Sequence, residues 1–133
     1  EYYGIGPDES YVDKCRSGSH GVYTSKVEDL HEDYLRPQEN GSHTDCDYLI
    51  LKGTDLTFAT AGEKTFSFNA SPYTQEELTT KKHSYELQPC GSTVLCLDYA
   101  QNGIGSNSCG PELSEQYRLD AEEFDFEIKM MIK

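Results

Sequence analysis

Between Asp98 and Leu113 the chain reads DYAQNGIGSNSCGPEL, a run of Gly, Ser and Asn that follows an apolar segment. Such a loop can turn several backbone N–H groups onto an anion, so phosphate binding is the first chemistry to weigh. A P-loop carries Lys and then Ser or Thr directly after its last glycine, and neither Gly105 nor Gly110 is followed by that pair. A dinucleotide fingerprint needs its third glycine where Ser108 stands and continues into a helix, whereas Pro111 follows here. Gly4 and Gly6 fail likewise, because Pro7 and Asp8 come next. The stretch reads instead as a surface loop with several left-handed positions.

Acid chemistry fares no better. Glycoside hydrolysis uses two carboxyl groups about 5–9 Å apart, one with a raised pKa. Asp8 with Glu9, and Glu76 with Glu77, are sequence neighbours whose side chains diverge, and most such pairs in an acidic chain are solvated surface. His43, Asp45, Cys46 and Asp47 form a cluster of ligand-type residues, but no second cluster at zinc spacing accompanies it. A Cys–His nucleophile pair can be drawn on paper, yet nothing singles out one cysteine. By residue chemistry alone, no self-sufficient active site is expected.

The elements that must position these residues are strands. In EFDFEIKM, Phe124, Phe126, Ile128 and Met130 alternate with charges, the period of a half-buried strand. KTFSFNA repeats the alternation, and DYLILKG, DLTFAT, HSYEL and STVLCLDY read as further strands, with Val94–Leu97 covered on both faces. One short helix is expected in SPYTQEELTTKK, where Thr74 and Glu77 make a capping box and Lys81 and Lys82 close the end. The first forty residues read as one strand followed by long ordered loops. The expected class is all-β, an antiparallel sandwich with one short helix, in a single domain that buries roughly two-thirds of its unfolded surface.

A net charge of −13 over 133 residues speaks against nucleic acid and anionic membrane as partners. No apolar run approaches the roughly 20 residues of a membrane-spanning helix, and there is no basic-then-apolar leader. Five cysteines, an odd number without CxxC spacing, point to free thiols in a reducing, cytoplasmic compartment. The acceptor patterns NGS at 40–42 and NAS at 69–71 are too short to carry weight.

Four segments, in order, resemble the last domain of family 2 glycoside hydrolases of the β-galactosidase type. YYGIGPDESYVDK is similar to its W-x-G-x-G-P-x-E-x-Y-x-D-R signature, and YLRPQENGSHTDCDYL to its Y-x-x-P-Q-E-N-G segment. FSFNASPYTQEELTTKKHSYEL resembles its F-N-x-S-x-Y stretch, and LDYAQNGIGSNSCGP its D-x-x-x-x-G-(I/V)-G…S-W-x-P loop. The resemblance implies a supersandwich related to the galactose mutarotases, with Glu1 falling mid-domain. It implies that the bond-breaking carboxylates belong to a (β/α)8 barrel elsewhere, and that this chain has no cofactor, any Mg2+ or Na+ lying in other domains. The implied partners are that barrel, its neighbouring domains, further copies in a homo-oligomer, and a galactoside at the rim.

In the family the loop matching Gly103–Pro111 reaches the rim of the barrel, which makes Asn107, Ser108 and Cys109 the substrate-adjacent residues. Cys109 stands near the position of a family Trp and has no π-face to offer a sugar. Tyr2, Ser10 and Lys14 replace Trp, Asn and Arg, and a point charge for a planar fork weakens a bidentate carboxylate pair. Glu9, Tyr11, Asp13, Gln38 and Glu39 keep the pattern and are expected as internal hydrogen-bond anchors. Two other functions fit the fold: a free-standing carbohydrate-binding module, and a mutarotase-like enzyme using His83 with an acid.

Overall fold

The computed structural model describes residues 1–106 and 110–133. Its strands are β1 (Tyr2–Gly6), β2 (Ser19–Tyr23), β3 (His43–Lys52), β4 (Thr57–Ser71), β5 (Val94–Asp98) and β6 (Ile128–Ile132), with one helix, α1 (Gln75–Thr80). They form a six-stranded sheet in the order β2-β1-β3-β4-β5, with β6 also paired to β4 and every pairing antiparallel. The all-β antiparallel class with one short helix is as expected and suits a sandwich-like domain.

β4 organises the sheet. Its 15 residues pair with β3 along one edge, while the other edge takes β6 at Phe58–Gly62 and β5 at Ser67–Ser71. The sequence suggested two strands here, DLTFAT and KTFSFNA. They are one, because β3 partners both halves: Tyr48 faces Ala61 and Cys46 faces Phe66, with an irregularity between them. A bulge takes up the unmatched residues and adds local twist, so a ladder survives an interruption that reads as a break in sequence.

The core lies on one face of this sheet. Tyr2, Cys46, Leu49, Phe66, Phe68 and Ala70 are buried together, with Tyr23, Val27, Leu30, Leu51, Leu95, Leu97 and Phe126 packed against them. Tyr2, His43 and Phe68 form a three-ring cluster with centroids 4.5–5.2 Å apart. Val27 and Leu30 come from the segment between β2 and β3, so loop residues cover part of the face that the sheet leaves open.

Four local expectations need correction. HSYEL is not a strand: Ser84–Glu86 is a 3-10 turn, because Glu86 accepts the backbone N–H groups of Lys82 and His83 and closes the chain on itself. The C-terminal strand begins at Ile128, and Phe124 and Phe126 precede it, packing on Tyr99 instead of joining the ladder. The first forty residues hold two strands, β1 and β2, paired over Tyr2–Gly6 and Ser19–Tyr23. The helix does start at Thr74, whose hydroxyl accepts from Glu77 N at 3.1 Å. The Glu77 carboxylate, however, accepts from Gln88 N at 2.8 Å and lies 3.6 Å from Lys81, not on the cap.

Candidate loop-anchoring site

The first anchor is a tight hairpin directly after β1. Tyr11 and Lys14 exchange both backbone hydrogen bonds, at 3.2 and 2.8 Å, which leaves Val12 and Asp13 at the tip. Its base is fastened twice. The buried Tyr11 hydroxyl donates to Glu39 Oε1 at 3.2 Å and accepts from Ser42 N at 3.3 Å. Lys14 Nζ lies 2.6 Å from Glu9 Oε1. That pair is single-pronged, as a lysine in place of an arginine dictates.

Glu9 is buried and fully engaged. Besides Lys14 it accepts from the Tyr34 hydroxyl and, through Oε2, from Gly41 N at 2.7 Å. Burial alone would raise its pKa, but the Lys14, Tyr34 and Gly41 donors outweigh that and hold the carboxyl below its usual value.

From this base Asp13 reaches across to the glycine loop. Its Oδ1 accepts from Ile104 N at 3.1 Å, and its Oδ2 accepts from Gly105 N, Ser106 N and Ser106 Oγ, each at 3.0 Å. The run that resembled a phosphate cradle does bind an anion, but the anion is the chain's own carboxylate. Partial burial pushes the Asp13 pKa up, and the loop amides and the Ser106 hydroxyl more than reverse it. Gly103 makes the arrangement possible: it has φ +88°, and a Cβ there would overlap the Asp13 carboxyl group.

A second polar cluster lies behind the hairpin. Glu39 accepts from Tyr11 and from Asn69 Nδ2 at 3.2 Å, and Asn69 also donates to Asn40 O. Burial raises the Glu39 pKa; the Tyr11 and Asn69 donors offset only part, and the nearby Asp98 charge pushes it further up. An acid whose pKa is higher folded than unfolded binds more protons in the native state, so its charge costs stability as pH rises from about 4.5. Glu39→Gln keeps an acceptor oxygen without the charge. Its melting temperature at pH 7 is expected at or above that of the unsubstituted chain, with the fall between pH 4.5 and 7 reduced. A clear loss at pH 7 in calorimetry would show the charge to be favourable.

The other sequence candidates separate cleanly. Asn107, Ser108 and Cys109 lie outside the described residues. His43 and Cys46 are buried core: the ring Nδ1 lies 3.2 Å from Ile5 O, and the thiol donates to His43 O. Asp45 and Asp47 are exposed, and among the described residues no three His, Cys, Asp or Glu side chains are grouped to hold a metal ion. His83 sits on the exposed 3-10 turn, stacked on Tyr85. The Asn of both glycosylation patterns, Asn40 and Asn69, is buried.

Two depressions flank the hairpin. A cleft of about 380 Å3 between Val12, Cys15, Tyr99, Gln101, Tyr117 and Arg118 has one acid on its wall, Asp45. A groove on the other side carries Asp13 and Glu112. Asp13 is tied to the loop amides, and Glu112 is 2.8 Å from Arg118. The Asp13 carboxyl is held below its usual range, the opposite of what a proton donor in glycoside hydrolysis requires. Fold and site together define an all-β domain in which Glu9, Asp13 and Glu39 fasten loops.

The family described as "Beta galactosidase small chain" matches residues 1–130, and the chain belongs to it. A β-galactosidase of Actinobacillus pleuropneumoniae is 56% identical over 124 residues, covering 93% of this chain and 12% of the relative. Those of Staphylococcus xylosus and Kluyveromyces lactis are 41% and 42% identical, each covering 98% of this chain and 13% of the relative. The chain therefore spans about an eighth of the length of the curated relatives it matches.

Sequence reasoning picked out Glu9, Tyr11, Asp13 and Glu39 as anchors but not how they pair. Gln38, expected with them, is exposed, and among the described residues its side chain reaches only the neighbouring Glu39 carbonyl, at 3.3 Å. The signal for Asp13 was present: a left-handed glycine followed by three free N–H groups needs an acceptor, and the signature supplies an aspartate at a hairpin tip. Gln75, whose amide reaches both Glu39 and Cys96, gave no signal, because nothing local ties a helix start to that cluster.

Proposed function

We propose that this chain is an accessory domain of a retaining β-galactosidase acting on terminal β-D-galactosides such as lactose. It packs on the catalytic barrel and shapes one wall of the active-site mouth, with the Gly103–Pro111 loop at the substrate side. Bond cleavage belongs to the barrel, through a covalent glycosyl intermediate. Any Mg2+ or Na+ that the enzyme uses lies in other domains, and the enzyme works in the cytoplasm, as an oligomer where copies associate. The observation that carries the reading is the family match over nearly the whole chain, against relatives about eight times as long.

The test compares residues 1–133 alone with the full-length enzyme. The isolated chain is expected to release no product from a chromogenic β-galactoside and to give no heat with galactose or lactose in titration calorimetry. Turnover at an enzyme-like rate would move the chemistry onto this chain. Measurable sugar affinity would favour a carbohydrate-binding module.

A further inference from the structure

We propose that Asp13 is the positioning residue of the substrate-side loop: its carboxylate fixes where the Gly103–Ser106 segment leaves the sheet, and thereby sets substrate affinity in the assembled enzyme. The proposal rests on the reading above that this loop borders the substrate. Four donors from three consecutive residues converge on one side chain at 3.0–3.1 Å, across more than ninety residues of sequence. A carboxylate suits the task because it is acceptor-only, with about four lone-pair sites. An asparagine would offer one acceptor oxygen and set an NH2 against the loop amides.

The side chain that does the holding is itself held. The Tyr11–Lys14 backbone pair closes the hairpin under Asp13, and the buried Tyr11 and the Lys14–Glu9 pair tie that hairpin to the body of the domain. On the loop side, the left-handed Gly103 brings the backbone so close that no Cβ would fit against the carboxyl group. Both ends of the contact are thus fixed by independent features. A segment held at Ile104, Gly105 and Ser106 has less conformational freedom to lose when substrate binds beside it.

The experiment uses the full-length enzyme with Asp13→Ala and Asp13→Asn. Amide hydrogen exchange is followed at Ile104, Gly105 and Ser106, and KM and kcat are measured with a chromogenic β-galactoside. Asp13→Ala is expected to speed exchange at these three amides by about tenfold or more and to raise KM about tenfold, with kcat changed less than about threefold. Asp13→Asn is expected to fall between, and it carries the test if the alanine variant does not fold. Unchanged exchange in both variants would overturn the proposal and leave the accessory-domain reading standing. Faster exchange with KM and kcat both unchanged would place the loop away from substrate, overturning the proposal and the loop's substrate-side placement while the accessory-domain reading stands. A fall in kcat at constant KM also overturns it, since positioning for binding predicts the reverse.

Discussion

Glu9→Ala is expected to destabilise the chain by about 2–4 kcal/mol at pH 7, because one truncation strands several groups at once. The Gly41 N–H, bonded to Glu9 Oε2 at 2.7 Å, loses its acceptor inside the protein, at roughly 1–3 kcal/mol for an unsatisfied buried donor. The Tyr34 hydroxyl loses its acceptor too. Lys14 recovers part of the loss, since its side chain is 46% exposed and can turn to water. Gly41 cannot shift to compensate: it has φ +71°, and a Cβ would collide with the backbone carbonyl of Leu30.

The pH dependence follows with a definite sign. The Glu9 pKa is lower in the folded state than its ordinary value near 4.5, so its contribution is complete above that value. It disappears as pH falls through the folded pKa. Urea denaturation of Glu9→Ala and of Glu9→Gln should therefore differ from the parent chain most at neutral pH and converge with it in acid. A difference below about 1 kcal/mol at pH 7 would mean that solvent replaces these contacts at little cost.

The largest single loss is expected from Phe68→Ala, at about 3–5 kcal/mol. Phe68 is fully buried, faces His43 across β3 and Leu97 across β5, and sits 5.1 Å from the Tyr2 ring. Deleting it opens a cavity where three strands meet, and the bulged β3 beside it is poorly placed to collapse inward. Phe124→Ala provides the control. That ring stacks on Tyr99 but is 55% exposed, so its loss should cost below about 1 kcal/mol. Equal midpoints for the two variants in thermal unfolding would contradict the placement of the core.

The legible part of the fold was the part with local signals. Alternating apolar residues marked β4 at Phe66 and Phe68, and the Thr74 hydroxyl marked the start of α1, because each depends only on near neighbours. The misreadings share one cause, in that a distant partner decided the outcome. β3 bridges the two halves of β4 where the local pattern breaks. In the C-terminal tail, Tyr99 draws Phe124 and Phe126 out of a ladder that their alternation favours. The site divides the same way: Asp13 and Glu39 stood out by motif, whereas their contacts with Ser106 and Asn69 needed the tertiary structure.

The shared edge of β4 has a consequence for the order of assembly. β3 and β4 meet through the four-residue turn 53–56, so their zipper starts at small entropic expense. β6 must find Phe58–Gly62 from about seventy residues away along the chain, a far slower closure. Since Met130, Met131 and Ile132 are more than 60% exposed once docked, little apolar burial rewards that search. The two halves of one edge thus close on different clocks, and the half closed by the sparsely buried β6 is the first to fray.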